Sequence, residues 1–265
     1  MKATNCHFPP GFIMAPTEQI GINVIGAGGT GSMVLNTLAR MNLALMNMEH
    51  PGLFVTAIDG DKIAKSNVGK QLYYNEDIGH YKAQVLIERI NLNTGFNWEY
   101  KNVYFPSSRI GSANITIACI DKIQPRIDLV KSLRPEPGKS WRHKREVPAY
   151  YIDCGNSFDK GQVICQTVQP VNQPGKIRKY KMKKELPGFM DVFDEKTLEL
   201  AKKEEDIIPS CSTHDALMRQ DFFINPMMAF LACRIVWNIV FNKMILQNGY
   251  FISLDDEFAV SPLNV

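Results

Sequence analysis

Residues 20–31 read Ile20-Gly-Ile-Asn-Val-Ile25-Gly26-Ala-Gly28-Gly29-Thr-Gly31, an apolar run of strand length closed by a glycine-rich turn. Beyond it, from about Ser32 to Met48, apolar side chains recur at helical spacing (Met33, Leu35, Leu38, Met41, Leu45), and Pro51-Gly52 marks the next turn. Leu53–Asp59 is a second apolar strand that ends in an acid. Strand, glycine turn, helix and strand in this order make the βαβ unit of a parallel sheet. A turn of this kind lets backbone amides approach phosphates, and the helix start adds partial positive charge. Asp59, twenty-eight residues past Gly31, stands where a carboxylate holds a ribose hydroxyl. The glycine turn by itself also suits a nicotinamide or flavin oxidoreductase, or a tight turn that packs helix on sheet.

The following residues narrow the ligand. Asp59-Gly-Asp61 is followed by Ser66-Asn67-Val-Gly-Lys70-Gln71 and then by Asp77-Ile-Gly79-His-Tyr-Lys82. A second carboxylate, amides and two lysines suit a ligand with several negative charges, such as a triphosphate, better than a dinucleotide. Ala118-Cys-Ile-Asp121 puts another carboxylate beyond the carboxyl end of a strand, where ligands sit in open α/β sheets and where a carboxylate suits Mg²⁺.

The remaining elements read as a helix over Asp77–Asn93, strands over Trp98–Phe105 and Asn114–Ile120, and a short helix over Gln124–Leu133. Strands over Tyr150–Asp153 and Gln162–Val168 follow, then a long helix over Phe222–Gln247 and a hairpin of Tyr250–Leu254 with Glu257–Val260. Residues 1–18, with Pro9, Pro10, Gly11 and Pro16, read as an irregular arm. Val171–Pro209 reads as an excursion from the sheet. Its Lys176–Lys184 run holds six bases and no acid, and Asp194–Asp206 holds six acids against three bases. The expected class is α/β with a doubly wound, mostly parallel sheet.

Composition bounds the function. Among 265 residues, thirty bases against twenty-seven acids leave +3, too small a total to argue for nucleic acid. The basic run is read as solvated surface. With only Tyr180 and Trp141 near basic stretches, base stacking has few platforms. Six cysteines (6, 119, 154, 165, 211, 233) are too few for a disulfide scaffold, and none forms a Cys-x-x-Cys pair, so no zinc is expected. A reducing, cytoplasmic setting follows. The N-terminus lacks the pattern of a signal peptide. Met227–Phe241, interrupted by Arg234 and Asn238, is shorter than the ~20 apolar residues of a spanning helix and reads as buried.

The ordered run Gly-x-Gly-Gly-x-Gly, Asp-x-Asp, Ser-Asn-x-x-Lys-Gln, Asp-x-Gly-x-x-Lys and Asp-x-x-x-x-Arg resembles the ThiF/MoeB adenylyltransferases and the related ubiquitin-activating enzymes. The resemblance covers residues 20–168 and, more loosely, continues to about 245. Pro209-Ser-Cys-Ser212 and Gln220-Asp-Phe-Phe-Ile-Asn225 are similar to segments of the ThiF-type members of the PRTRC plasmid- and phage-associated system. The resemblance implies a Rossmann-like, doubly wound sheet with a crossover excursion and a C-terminal helix plus hairpin. It divides the chain into an arm (1–18), an adenylation core (19–170), a charged excursion carrying Cys211 (171–212) and C-terminal helices and hairpin of the same domain (213–265).

By the same resemblance Gly26, Gly28, Gly29 and Gly31 cradle ATP phosphates, Asp59 holds the ribose, and Asp61 and Gln71 belong to the nucleotide site. Asn67, Lys70 and Lys82 contact phosphates, Asp121 coordinates Mg²⁺, and Arg126 shapes that loop and is counted among the nucleotide-binding residues. The implied reaction joins the C-terminal carboxylate of a small ubiquitin-like protein ending in glycine to the α-phosphate of ATP, releasing pyrophosphate, in a homodimer. Cys211 is the thiol to which the acyl group would pass, with His214 beside it; the alternative is a buried structural thiol. Cys119 and Cys233 are assigned to the core, and Cys154 and Cys165 are left as structural. The chain departs from the family pattern in four ways. Lys70 replaces an arginine, Asp121-Lys122 replaces Asp-Asn, zinc pairs are missing, and residues 1–39 hold no arginine to donate across a dimer. A catalytically lapsed, partner-binding version of the fold is the competing reading.

Overall fold

The computed structural model describes residues 3–107, 110–134, 141–175, 177–205, 221–255 and 258–265. The opening stretch forms strand β2 (Ile20–Ile25), helix α2 (Gly29–Asn47) and strand β3 (Leu53–Ile58). All six residues of β2 are buried, which requires cover on both faces of the sheet. Alternation divides them: Ile22 and Val24 join the core under α2 with Val34, Leu35 and Leu38, whereas Ile25 joins a second core on the opposite face. Helix α3 (Lys82–Thr94), β4 (Glu99–Lys101), β5 (Ile115–Ala118), α4 (Ile123–Ser132), β6 (Tyr150–Asn156) and β7 (Lys160–Thr167) follow.

The main sheet has eight strands. β4, β3, β2, β5 and β6 run parallel in that order, and β7, β9 (Gln247–Ser253) and β10 (Ala259–Asn264) extend it antiparallel. Helices α2, α3 and the C-terminal helix Ile224–Trp237 cover one face. α4 and the short helix α5 (Phe189–Val192) cover the other. The doubly wound, mostly parallel α/β sheet is the one expected from the sequence.

Element boundaries differ where side chains intervene. The helix expected from Asp77 starts at Lys82, because the Asp77 carboxylate instead accepts the Tyr74 N–H (2.8 Å) and an Arg89 bond (2.7 Å), and Gly79 adopts φ 89°. The strand expected over Trp98–Phe105 is cut to three residues, the length over which β4 finds partners on β3. The last long helix ends its α turns at Trp237. It passes through a π turn over Asn238–Asn242 and stops at Lys243, whose φ of 56° cannot continue it. Residues 224–242 have the length and composition of a membrane span, but Ile224, Met228, Leu231, Ile235 and Ile239 are packed inside the core.

The arm is also more ordered than its prolines suggest. Its strand β1 (Thr4–Cys6) pairs in parallel with β8 (Tyr180–Met182) in the basic stretch, making a separate two-stranded sheet, and α1 (Gly11–Met14) buries Ile13. The arm is held by His7, which is fully buried. Its Nδ1 lies 2.7 Å from the Lys183 carbonyl and its Nε2 2.8 Å from the Tyr150 hydroxyl. Burial lowers the pKa of His7 from its ordinary 6.5, against a smaller upward pull from the Lys183 carbonyl. The native histidine therefore resists a proton that the unfolded chain accepts. Between the lowered value and about 6.5 stability must rise with pH and fall on acidification. His50, lowered by burial and by Lys243, adds the same sign. A pH series of denaturant melts should show stability declining below about pH 6.5, with a shallower decline in His7→Gln.

Candidate functional site

At the carboxyl ends of β2–β6 the structure opens a cleft of about 520 Å³. Gly26, Gly28, Gly29 and Thr30 of the glycine turn, Asp59-Gly60-Asp61, Lys70, Gln71, Lys82 and Asp121 all face it. The sheet thus gathers most of the residues singled out in the sequence.

The glycines do different work. Gly26 sits at φ 91°, and a Cβ there would overlap the Cys119 carbonyl oxygen; one on Gly31 would overlap the Gly26 carbonyl oxygen. Those two are needed to pack α2 against β2 and β5, with or without a ligand. At Gly29 a Cβ would meet the amide of Asn225, 2.6 Å away. Gly28 is open: an added Cβ would find only the tip of Gln71 at 3.9 Å. Gly28→Ala is therefore expected to leave the melting midpoint within about 0.5 kcal/mol of wild type. It should weaken nucleotide binding about tenfold, ~1.4 kcal/mol, by filling the approach to the turn. Gly26→Ala should destabilise by at least about 2 kcal/mol. Thermal melts and calorimetric titration with ATP separate the two outcomes.

Asp59 is locked to the turn. One oxygen accepts the Ala27 N–H (2.6 Å) and the other the Asp61 N–H (2.7 Å). Burial raises its pKa, opposed by those two amides and by Lys82. Asp61 pairs with Lys82 at 2.9 Å and accepts the Tyr104 hydroxyl at 2.9 Å. Burial pulls Asp61 upward, but the Lys82 bond and charge and the Tyr104 hydroxyl outweigh it, so its carboxyl stays below the usual range. Lys82 is itself buried in the first turn of α3. The 70–73 segment is pinned by Tyr73, whose buried hydroxyl donates to the Ala27 carbonyl at 2.6 Å. This sets Gln71 at the cleft with its Oε1 buried and without a hydrogen-bond partner among the described residues. Asp121 opens to solvent within the cleft, yet protein atoms crowd around it. That desolvation raises its pKa, while Lys82 and then Lys70 pull it down.

Three residues assigned to the nucleotide site by resemblance do not line the cleft: Gly31, packed against the Gly26 carbonyl, Asn67 and Arg126. Asn67 is absent from the cleft wall; its Oδ1 accepts the Ala64 N–H (2.8 Å) and closes a 3₁₀ turn. Arg126 points away from the cleft into a buried pair with the fully buried Asp153. Nε donates to one oxygen at 2.8 Å, Nη2 to the other, and the Tyr151 hydroxyl adds a bond of 3.1 Å. Burial alone would lower the Arg126 pKa; the charge and hydrogen bonds of Asp153 overcome it and raise it. Arg126 thus shapes the Asp121 loop from behind. Cys211 and His214 lie outside the described residues.

Sequence reading also missed cleft residues. Tyr104, on the loop after β4, packs its ring against Gly60 and bonds Asp61. Asn225, at the start of the C-terminal helix, accepts the Thr30 hydroxyl (2.8 Å) and an Asn156 amide bond (3.4 Å). Its place at the end of a motif carried no chemical signal. Cys119, assigned to the core, is only partly buried and lines the cleft with Cys154.

Residues 16–132 match the sequence model of the ThiF family. A tRNA threonylcarbamoyladenosine dehydratase of Haemophilus influenzae is 36% identical over 80 residues, 30% of this chain and 27% of that protein. Among solved structures, Escherichia coli MccB with ATP superposes with a TM-score of 0.58 at 16% identity, over 92% of this chain and 63% of that one. PaaA gives 0.57 at 15% identity, over 93% and 64%. The chain thus spans a little under two thirds of these structures, and at such identity the likeness is one of fold. The match to the ThiF family is thus to residues 16–132, the part of the chain that holds the glycine turn and the first parallel strands of the sheet.

Proposed function

We propose that the cleft binds ATP and that the protein adenylates the C-terminal carboxylate of a peptide or small protein. The observation that carries this reading is the convergence on one cleft of the phosphate turn, the amide-locked Asp59, the Lys82–Asp61 pair and Asp121. Backbone amides of the turn and the start of α2 receive phosphate oxygens. The two carboxylate oxygens of Asp59, already oriented by amides, receive ribose hydroxyls. A donor from the ligand satisfies the orphaned Gln71 oxygen. Lys82 exchanges part of its contact with Asp61 for the phosphate charge, and Lys70, which also lines the cleft, adds a second cation.

The acyl carboxylate is ionised at neutral pH and needs no general base. It attacks the α-phosphorus, forming a carboxyl–phosphate anhydride and releasing pyrophosphate, so catalysis is positioning and charge neutralisation. Asp121 suits Mg²⁺, which takes one or two carboxylates and completes its shell with phosphates and water. Asp59 and Asp61 are engaged by protein partners, so Asp121 is the carboxylate to hold the ion. Bound there, Mg²⁺ would neutralise phosphate charge.

The sequence resemblance favours a ubiquitin-like substrate ending in glycine. The names of solved relatives include MccB in complex with N-formylated MccA, which favours a peptide. Both classes end in the carboxylate the chemistry needs. A homodimer and onward transfer to Cys211 belong to the ubiquitin-activating version of the reading. ATP–pyrophosphate exchange, with Mg²⁺ and candidate small proteins or peptides added singly, tests it. Exchange that appears only with one carboxylate substrate is the expected result. ATP binding without exchange for any of them favours a lapsed binding module instead.

A further inference from the structure

β5 and β6 run in parallel register with Ala118 beside Asp153, so the next residues, Cys119 and Cys154, stand side by side at the floor of the cleft. The two thiols are neighbours across the pair of strands, and both are free. Neighbouring strands lie about 4.8 Å apart, within the Cα separations that a disulfide spans. The two differ in access: Cys119 is partly exposed to the cleft, whereas Cys154 is 4% exposed. Cys119 is also part of the support beneath the glycine turn. Its N–H donates to Ile25 at 2.7 Å, its carbonyl occupies the space a Gly26 side chain would need, and its Cβ lies 3.3 Å from where a Gly31 Cβ would stand.

We propose that Cys119 and Cys154 form an oxidisable dithiol whose conversion to a disulfide weakens ligand binding at the glycine turn. The oxidant is a small disulfide such as oxidised glutathione. Cys119 Sγ attacks one of its sulfurs and releases one glutathione thiol. Cys154 Sγ then displaces the second from the mixed disulfide on Cys119. The protein gives up two electrons and two protons, and the reagent leaves as two thiols. The neighbouring Cys119 thiol, followed by burial, holds the Cys154 thiol well above its usual pKa, which leaves Cys119 as the thiol that reacts first. Closing the bond draws Cys119 toward β6, away from the position that supports Gly26 and Gly31. The coupling is reciprocal. If oxidation lowers nucleotide affinity tenfold, saturating nucleotide makes the pair harder to oxidise by the same factor, about 30 mV for two electrons.

The effect on affinity rests on the ATP reading above; the thiol chemistry does not. Purified full-length protein is incubated with oxidised glutathione, alkylated, digested and mapped by mass spectrometry. Parallel samples are titrated with ATP before oxidation, after oxidation and after re-reduction. The expected result is a Cys119–Cys154 linked peptide, at least a tenfold loss of ATP affinity, recovery with reductant and slower linkage when ATP is present. Cys154→Ser and Cys119→Ser, each compared with its own reduced form, should lose the oxidation sensitivity. Cys154→Ser should accumulate glutathione on Cys119. Two free thiols at 119 and 154 after oxidation of wild type overturn the proposal, as does a linked pair with unchanged affinity. Reduced protein that fails to bind ATP refutes the nucleotide reading, and with it the regulatory half, while the peptide map still decides whether the dithiol exists.

Discussion

Lys82→Ala is expected to lower ATP affinity by about 1.5–3 kcal/mol, roughly 10- to 150-fold, with pyrophosphate exchange falling at least as far. Lys82 is a buried cation whose Nζ is held by Asp61, itself fixed by the Tyr104 hydroxyl. The ammonium group is therefore aimed before the ligand arrives, which removes most of the cost of ordering a long side chain. Without it, the charge of the phosphates meets Asp61 and Asp121 with Lys70 and Lys122 as the remaining lysines among the described cleft residues. Asp61→Asn makes the complementary test. It keeps the Tyr104 contact and frees Lys82, so affinity should change by less than tenfold. Calorimetric titration of both variants with ATP decides the matter. Unchanged affinity in Lys82→Ala would remove this residue from the phosphate site.

Arg126→Ala is expected to destabilise the fold by about 3–5 kcal/mol, a large share of the 5–15 kcal/mol typical of a domain. The substitution leaves Asp153, fully buried on β6, with a carboxylate stripped of its bidentate partner and, among the described residues, with Tyr151 alone to bond it. The surroundings are shaped for the pair: a side chain on Gly155 would collide with the guanidinium, and the cation lies over the Phe189 ring at 5.4 Å. Replacing both partners, as in Arg126→Met with Asp153→Leu, should recover most of the loss, since an apolar pair leaves no buried charge. Equilibrium denaturation measures both. Arg126→Ala with near wild-type stability and lost ATP binding would restore the ligand-contact role that sequence resemblance assigns to it.

The legible parts were those in which chemistry and geometry are local. The βαβ unit at residues 20–58 is readable because a strand buried on both faces is apolar throughout, a helix repeats every 3.6 residues, and the joining turn needs glycine. Asp59 was legible because a strand end fixes where the next side chain sits. The start of α3 was misread because Asp77 has apolar helix-spaced residues after it, yet its carboxylate is claimed by Tyr74 and Arg89. That competition depends on a contact twelve residues away. The arm was misread for a related reason. Its prolines suggest irregularity, while the burial of Cys6 and His7 depends on β8 and β6, more than 140 residues later.

By itself the sequence determined the fold class, the glycine turn, and which charged residues would reach the carboxyl edge of the sheet, because each follows from period, turn chemistry or strand direction. It left the work of individual residues open. Gly26 and Gly28 are two positions apart in one motif, yet one is required by a backbone oxygen from β5 and the other faces open space. Arg126 and Lys82 are both cations in family motifs, yet one is enclosed by Asp153 and the other reaches the cleft. Cys119 beside Cys154, and Asn225 against Gly29, are set by strand register and by a helix from the far end of the chain. Steric exclusion and burial act between groups brought together only on folding, and they decided which of these residues line the cleft and which support it.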